Sequence, residues 1–517
     1  MSKKSIIIIV TAVLAALLEI LDASIVNVAI PTMMGNLGVT LDAISWVSTG
    51  YMIANSIILP IAAWFGTRLG RRNYFTGAIL LFTLSSFMCG ISPNLYTLVF
   101  FRILQGLSGG ALLPTAQTLI QEQFPKEKAT LAMAIFGMSI MIGPALGPVL
   151  GGYLTDTFGW RAIFNVNIPI GIIAAICSYI YIDQSVPDAS APKKSVDWLG
   201  FALLFLGIGC FQFILERGQA EGWLDSITIR TCLLFALVSS SAFIWWELRV
   251  KNPIMNLRLF KTNAVTAGSA LMMALGVILY TLTFVVPVLS DNIMKLTATQ
   301  TGMLFIPGSI ATAISMMMVS KVSKKFHPRA IILTGIGIAT TSVLLMTQFS
   351  TGTGPNDLFL PLIFRGVGAG LLFIPILSTV TSQFKGEELA QVNGLMNFFR
   401  QIGGSIGIAS LSLLLTRFSK QNYEDLRAKV SLLNPAAYHD FMKISGSATY
   451  RTLGDNIGFG SPASFAIKTL YGRVMRQTFM MSFNQLCWCI IGIIVLMLIP
   501  VFTMKMQRRL DTQVDAH

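Results

Sequence analysis

The chain has 517 residues, 54% of them hydrophobic and only 12% charged, with a mean hydropathy of +0.70. Soluble domains carry about 25% charged residues, so this composition excludes a soluble enzyme, a fibrous protein and a disordered chain, and leaves a polytopic membrane protein. The formal charge of +14, from 37 Lys+Arg and 23 Asp+Glu, then reads as a positive-inside bias, with no nucleic-acid partner implied.

A hydrocarbon core about 30 Å thick takes about 20 apolar residues per helix. Charge is costly there, so charge-free runs mark spans. Met1–Lys4 is a short basic head, and the apolar run behind it is too long for a cleavable signal. It reads as the first span, 5–30. The next five follow at 44–66, 74–92, 96–120, 130–154 and 162–182, with Ser92-Pro93-Asn94 as one turn. Two more lie at 197–216 and 228–247. The last six are expected at 263–287, 299–320, 330–350, 358–382, 392–416 and 480–504, with Gly352–Pro355 as another turn. The fold class is therefore all-α and polytopic, with 14 transmembrane helices.

Lys and Arg alternate with these spans. With the N-terminus inside, the inner segments hold Lys3, Lys4, Arg68, Arg71, Arg72, Lys126, Lys193, Lys194, Lys321 to Arg329, Lys505, Arg508 and Arg509, among others. The short outer loops hold only Arg161, Arg217, Arg230 and Lys295. Both termini are predicted to be cytoplasmic. The polar segment 417–479 is a long external loop, with helical composition at 423–433 and 436–444. The six cysteines lie inside apolar runs and the three histidines do not cluster, so neither disulfides nor a metal site is expected.

The first six and last six spans carry parallel features in the same order. Each set has a basic loop after its second span, at 67–72 and 321–329. Each has an arginine early in its fourth span followed by glycines, at Arg102 and Arg365, and a Gly-rich fifth span, at Gly143–Gly152 and Gly403–Gly407. A repeat in one orientation fits two six-helix bundles about an axis normal to the membrane. The predicted organisation is 1–182 as the first bundle, 183–250 as an inserted hairpin with linkers, and 251–517 as the second bundle with its external loop.

Specific motifs make the chain resemble the major facilitator superfamily over essentially its whole length. Within it, the resemblance is to the 14-helix drug/proton antiporters of the EmrB/QacA type, nearest the EmrB branch. Leu21–Pro31 (LDASIVNVAIP) is similar to that group's first-helix signature, including Asn27. Arg68, Gly70, Arg71 and Arg72 match the gating loop between the second and third helices, but Ala63 replaces its first Gly and Thr67 its Asp. That Asp helps to latch the two halves in the family, so the latch here is absent or moved. Arg102, Gln105 and Gly106 match the fourth-helix motif. Gly143, Pro144, Gly147, Pro148, Gly151 and Gly152 match the doubled antiporter motif of the fifth helix, which marks exporters. Residues 160–171 resemble a further family pattern.

Glu19 and Asp22 are the two carboxylates well inside a predicted span, on one face at i and i+3. Asp22 lies about 12 Å from the outer end of its helix and Arg102 about 9 Å from its own, at 1.5 Å per residue. They can meet, with Gln105 one turn deeper near the level of Glu19. Intramembrane ionisable residues pair and mark ion pathways. Glu19, Asp22 and Arg102 are therefore the proton-coupling candidates, and a static pair that holds helices together is the alternative for Asp22. Asn27, Gln105, Trp46, Tyr51, Phe136 and Phe398 are candidates for the substrate cavity. The glycines and prolines of the fifth helix suit a pliant bundle interface for alternating access, and the loop arginines serve either gating or topology. Arg365 and Arg400 pair with carbonyls or line the cavity mouth. Met272-Met273 and Met316–Met318 are either an adaptable drug surface or lipid-facing filler.

The resemblance implies a proton-coupled multidrug efflux antiporter in a bacterial inner membrane, exporting hydrophobic, often cationic compounds by alternating access. Its coupling ion is the proton and it has no other cofactor. The alternatives are a dedicated exporter of one metabolite, lipid or siderophore, or a non-transporting receptor of this fold. No nucleophile, metal constellation or GxxxxGK[ST] phosphate loop points to an enzyme or an ATP-driven pump. Relatives near EmrB work with a periplasmic adaptor and an outer-membrane channel, so segment 417–479 either contacts such an adaptor or caps the outer opening.

Overall fold

A computed structural model of the protein describes residues 2–125, 128–184, 197–323, 325–430, 434–452 and 462–504. Lys126, Lys193, Lys194, Lys324, Lys505, Arg508, Arg509 and the side chain of Pro144 lie outside the described residues.

The first half comprises α1 (Lys3–Leu37), α2 (Leu41–Leu69), α3 (Arg71–Gly90), α4 (Leu95–Glu122), α5 (Ala129–Phe158) and α6 (Ala162–Tyr181). A hairpin follows, α7 (Trp198–Arg217) and α8 (Ile227–Glu247). The second half comprises α9 (Asn263–Leu289), α10 (Ala298–Val322), α11 (Pro328–Met346), α12 (Phe359–Thr381) and α13 (Gly386–Lys429). It ends with α14 (Pro435–Thr452), α15 (Pro462–Leu496) and α16 (Leu498–Thr503). Among the described residues, 13 of these helical rods are long and apolar enough to cross a membrane, with α15 and α16 as one rod. The 30-residue α5 is the 14th, and α14 is an additional polar helix.

Local chemistry sets the boundaries. Pro60 lies in a 3-10 turn (Leu59–Ile61) that bends α2. Gly70, at φ +79°, breaks the chain between α2 and α3. Asn94 caps α4 by accepting from Thr97 N at 3.0 Å, and Thr297 and Gln300 form a capping box on α10. Several helices outrun the expected spans because hydropathy marks the hydrocarbon and not the hydrogen-bonded end of the helix. The clearest case is α13, expected at 392–416 and observed over Gly386–Lys429. Asn422 holds its extension to α15 by donating to Ser482 Oγ at 2.9 Å and Gln485 Oε1 at 3.0 Å. Much of the expected loop 417–479 is therefore helix: the end of α13, α14 and the start of α15.

The two halves repeat one packing scheme. In the first, α1 packs on α4, α5 and α6, and α4 packs on α2 and α3. In the second, α9 packs on α12, α13 and α15, and α12 packs on α10 and α11. The halves meet where α5 runs along α10 and where α2 runs along α13. The hairpin joins this second seam, since α7 packs on both α2 and α13. An even number of spans puts the start of α1 and the end of α16 on one side, here termed the terminal face.

Candidate functional site

Asp22 of α1 is at the centre of a closed polar network in the first half. Arg102 Nη1 (α4) donates to its Oδ2 at 2.5 Å, and Gln105 Nε2 and Asn167 Nδ2 donate to Oδ1, each at 2.9 Å. Arg102 also donates to Gln105 Oε1 and to the Val47 carbonyl, and packs over the Tyr51 ring at 4.2 Å. Asp22 is 0% and Arg102 1% exposed. A buried ion pair is tolerable only when its remaining lone pairs and protons are satisfied, and here the neighbouring amides satisfy them. Gln105 is thus a member of this network and not a cavity residue. Asn167, which sequence reasoning passed over, completes it from the α6 end of the resembling segment 160–171.

A cavity of about 610 Å³ lies between the halves, mostly apolar in lining. Glu19, Asn27, Tyr51, Arg102, Arg365 and Arg400 line it, and Asp22 does not. Glu19 accepts from Asn55 Nδ2 at 2.9 Å and from Leu113 N at 3.1 Å, beside the bend at Pro114. No Lys or Arg among the described residues lies within ion-pair distance of Glu19. The two carboxylates, one helical turn apart, therefore differ: Asp22 is sealed with its cation, and Glu19 faces the cavity with neutral donors only.

Three other cavity expectations are corrected. Trp46 stacks towards Phe213 and Arg217 on the hairpin. Phe136 is fully buried in the apolar core, and Phe398 packs with Leu59 and Ile402 at the α2–α13 seam. Aromatic composition marks none of these directions, because one residue along a helix turns the side chain by about 100°. The methionine patches also stay out of the cavity: Met272 and Met316 are buried, whereas Met317 and Met318 are exposed on the outer surface.

Arg365 of α12 occupies the place in the second half that Arg102 has in the first. It donates to the Leu279 carbonyl at 3.1 Å and to Thr283 Oγ1 at 2.5 Å, both on α9. Arg400 of α13 donates to Tyr280 Oη at 3.1 Å, on the same turn of α9. Neither has a carboxylate within ion-pair distance among the described residues.

The side of the cavity towards the terminal face is closed by uncharged side chains. Gln117 and Gln121 (α4) meet Asn393, Asn397 (α13) and Thr381 (α12). Gln117 Nε2 donates to Asn393 Oδ1 at 2.7 Å, Asn397 Nδ2 to Gln117 Oε1 at 2.6 Å, Asn393 Nδ2 to Gln121 Oε1 at 2.7 Å, and Gln121 Nε2 to Thr381 Oγ1 at 3.1 Å. This amide cluster ties the halves together in a loop-2–3 variant where Thr67 stands for the acid. Thr67 itself bonds the Trp64 carbonyl of its own helix. Among the contacts of the gating arginines, Arg68 lies over Trp64, Arg71 is ion-paired with Glu122, and Arg72 lies over Tyr179.

The glycine face of α5 packs mainly on α1, within one half. A Cβ at Gly143 would strike Ile20, one at Gly147 would strike Ser24, and one at Gly151 would meet Ile25. Ser24 Oγ donates to the Gly143 carbonyl at 3.3 Å across this contact. Gly137, facing Met316 and Phe373, Gly152, facing Thr299, and Pro148, facing Gly302, turn to the other half. Gly143, Gly147 and Gly151 thus serve a contact within the first half, while other positions of α5 line its seam with α10.

Comparison with known proteins agrees with this architecture. Residues 12–408 match the family model described as Major Facilitator Superfamily. The chain is 34% identical to the fatty acid resistance protein FarB of Neisseria gonorrhoeae, over 78% of this chain and 79% of that protein. It is 30% identical to the multidrug export protein EmrB of Escherichia coli (strain K12), over 94% of this chain and 92% of that protein. Its fold superposes on the human organic anion transporter MFSD10 with a TM-score of 0.58 at 13% identity, over 98% of this chain and 100% of that one. With the multi-pass bundle, the paired halves and the central cavity in place, the chain belongs to the major facilitator superfamily, a family of transporters and not of enzymes.

Proposed function

We propose that this protein is a proton-coupled efflux antiporter that exports hydrophobic and amphipathic, often cationic compounds by alternating access. It works in a bacterial inner membrane with both termini cytoplasmic. The observation that supports this best is Glu19: a carboxylate that faces a mostly apolar cavity with no Lys or Arg within ion-pair distance among the described residues. Such a group is costly as a bare charge, so it holds a proton or a substrate cation, and each displaces the other. Asp22, Arg102 and Gln105 sit one turn away and carry the protonation state of the first half into the packing of α1, α4 and α6. The amide cluster closes the cytoplasmic side while the cavity holds its cargo, and the α1–α5 glycine contact lets the helices of the first half slide.

Proteoliposome efflux under an imposed pH gradient tests this reading, with wild type, Glu19→Gln and Asp22→Asn against a panel of lipophilic compounds. Wild type is expected to move lipophilic cations only with the gradient, and both variants to lose that coupling while remaining inserted. Undiminished coupled efflux in both variants would sink the assignment.

A second reading, a dedicated exporter of one amphipathic lipid, is favoured by the similarity to a protein named for fatty acid resistance. Arg365 and Arg400 give the cavity a cationic wall that suits a carboxylate head group. A long-chain fatty acid in the same panel separates the two. We further assign a periplasmic adaptor and an outer-membrane channel as partners through 417–479, where Tyr438 and Met442 of α14 are exposed; in-cell cross-linking from α14 reads this contact out.

A further inference from the structure

The cavity wall holds one acidic group that neither the buried network nor the repeat accounts for. Glu216, near the end of α7 in the inserted hairpin, lines the cavity. Sequence segmentation leaves it at the edge of a span, where a charge looks ordinary. Its Oε1 accepts from Gln212 Nε2, one turn earlier, at 3.0 Å and from Ser405 Oγ of α13 at 3.4 Å. Both donors are neutral, and no Lys or Arg among the described residues lies within ion-pair distance. The adjacent Arg217 turns away, donating to Asp42 Oδ1 at 2.5 Å and Ser45 Oγ at 2.7 Å at the start of α2. Arg217 thus anchors α7 to the first half and Gln212, donating to Ser405 Oγ at 2.7 Å, anchors it to the second. Glu216 is held at the seam between them, facing inwards.

We propose that Glu216 is a substrate-recognition residue that binds the positive centre of organic cations, so that the inserted hairpin forms a third wall of the binding site. This deepens the efflux reading and rests on it for the transported cargo. The other ionisable groups on the cavity wall divide the space. Arg102 is neutralised by Asp22, and Arg365 and Arg400 hang from one turn of α9 on the second-half wall. Glu19 and Glu216 remain, on α1 and α7, as acids with no Lys or Arg within ion-pair distance among the described residues. The rest of the lining is mostly apolar; Tyr51, Tyr280 and Phe305 already face Arg102, Arg400 and Arg365, and the apolar surface with the Phe284 ring favours a lipophilic cation through burial and cation–π contact. A carboxylate in such a space needs a positive partner, and none lies within ion-pair distance of Glu216 among the described residues.

Tetraphenylphosphonium and tetraphenylborate test the proposal, because they match in shape and apolar surface and differ in sign of charge. Their binding to the full-length protein in detergent is measured by calorimetry for wild type, Glu216→Gln and Glu216→Asp. Wild type is expected to prefer the phosphonium. Glu216→Gln should lose about tenfold or more in phosphonium affinity, as expected when one partner of a desolvated charge pair is removed, and leave borate affinity unchanged or raised. Glu216→Asp should retain most of the phosphonium affinity. Equal losses for both ions in Glu216→Gln, unchanged binding of both, or a wild-type preference for borate would each overturn the proposal. Binding is read without a gradient, so absence of proton-driven flux in wild type would sink the efflux reading and leave this result standing.

Discussion

The two halves share one packing scheme and differ in how each treats its fourth-span arginine. Arg102 has a carboxylate on the facing helix, and Gln105 and Asn167 complete that carboxylate's shell. Arg365 finds a hydroxyl and a carbonyl on α9 where the first half has Asp22 on α1. The first half therefore contains a buried neutral pair, and the second presents to the cavity an arginine with no carboxylate within ion-pair distance among the described residues. The glycine contacts do not differ in this way. Gly403 lies against the Met273 carbonyl and Gly407 against Val277 and Thr281, so α13 packs on α9 as α5 packs on α1. The two halves share this packing surface and differ in the polar chemistry placed on it.

The largest expected effect breaks the comparison at its charged end. Arg102→Leu strands Asp22 as a buried bare charge and should cost roughly 3–5 kcal/mol, read as a fall in thermal unfolding temperature in detergent. Arg365→Leu strands no acid and should cost far less; equal losses would erase the distinction drawn between the halves. Gly147→Leu forces a side chain into Ser24 and should abolish transport, at a stability cost of about 1–3 kcal/mol, with membrane insertion retained on fractionation. Gly407→Leu should behave alike if the repeat carries the same hinge, and a normal transporter in either case removes that role.

Smaller effects sharpen the picture at the seam. Asn393→Leu removes hydrogen bonds to Gln117, Thr118 and Gln121 and should weaken the closed terminal face by about 1–3 kcal/mol. Labelling of a cysteine placed behind the seal by an impermeant reagent should rise. Because the cluster is uncharged, raising the salt concentration should not reproduce the effect, as it would for an ionic latch. The smallest change is expected from Thr283→Val. Arg365 keeps the Leu279 carbonyl, so the loss should be about 1 kcal/mol or less, seen as a shift of a degree or two in the unfolding temperature.

Legibility in the sequence followed length scale. Charge-free runs of about 20 residues located the spans, because lipid imposes an apolar length on every helix alike; the Gly and Arg repeats pointed to two halves. The meeting of Asp22 and Arg102 followed from depth arithmetic along straight helices. Which face of a helix meets the cavity was not accessible that way. Trp46, Phe136 and Phe398 were plausible by type and turn elsewhere, while Glu216 was overlooked at the end of a span, though Gln212 at i−4 was a local sign that it is held. The departures at Ala63 and Thr67 flagged a missing ionic latch without saying what replaces it.

Sequence alone determined that this chain is a helical membrane bundle with repeated features, since hydropathy, charge bias and motif spacing are properties of the chain in one dimension, and the motif resemblance added the transporter family. Tertiary structure decided which ionisable groups are neutralised and which are left to the cavity. Asp22 is closed in by three donors from two other helices, Glu19 and Glu216 are left with neutral partners, and Gln117 and Asn393 meet 276 residues apart. Such pairings depend on helix rotation and on contacts across the seam, and a charge in a low-dielectric interior is governed by whatever packing brings within a few ångströms of it.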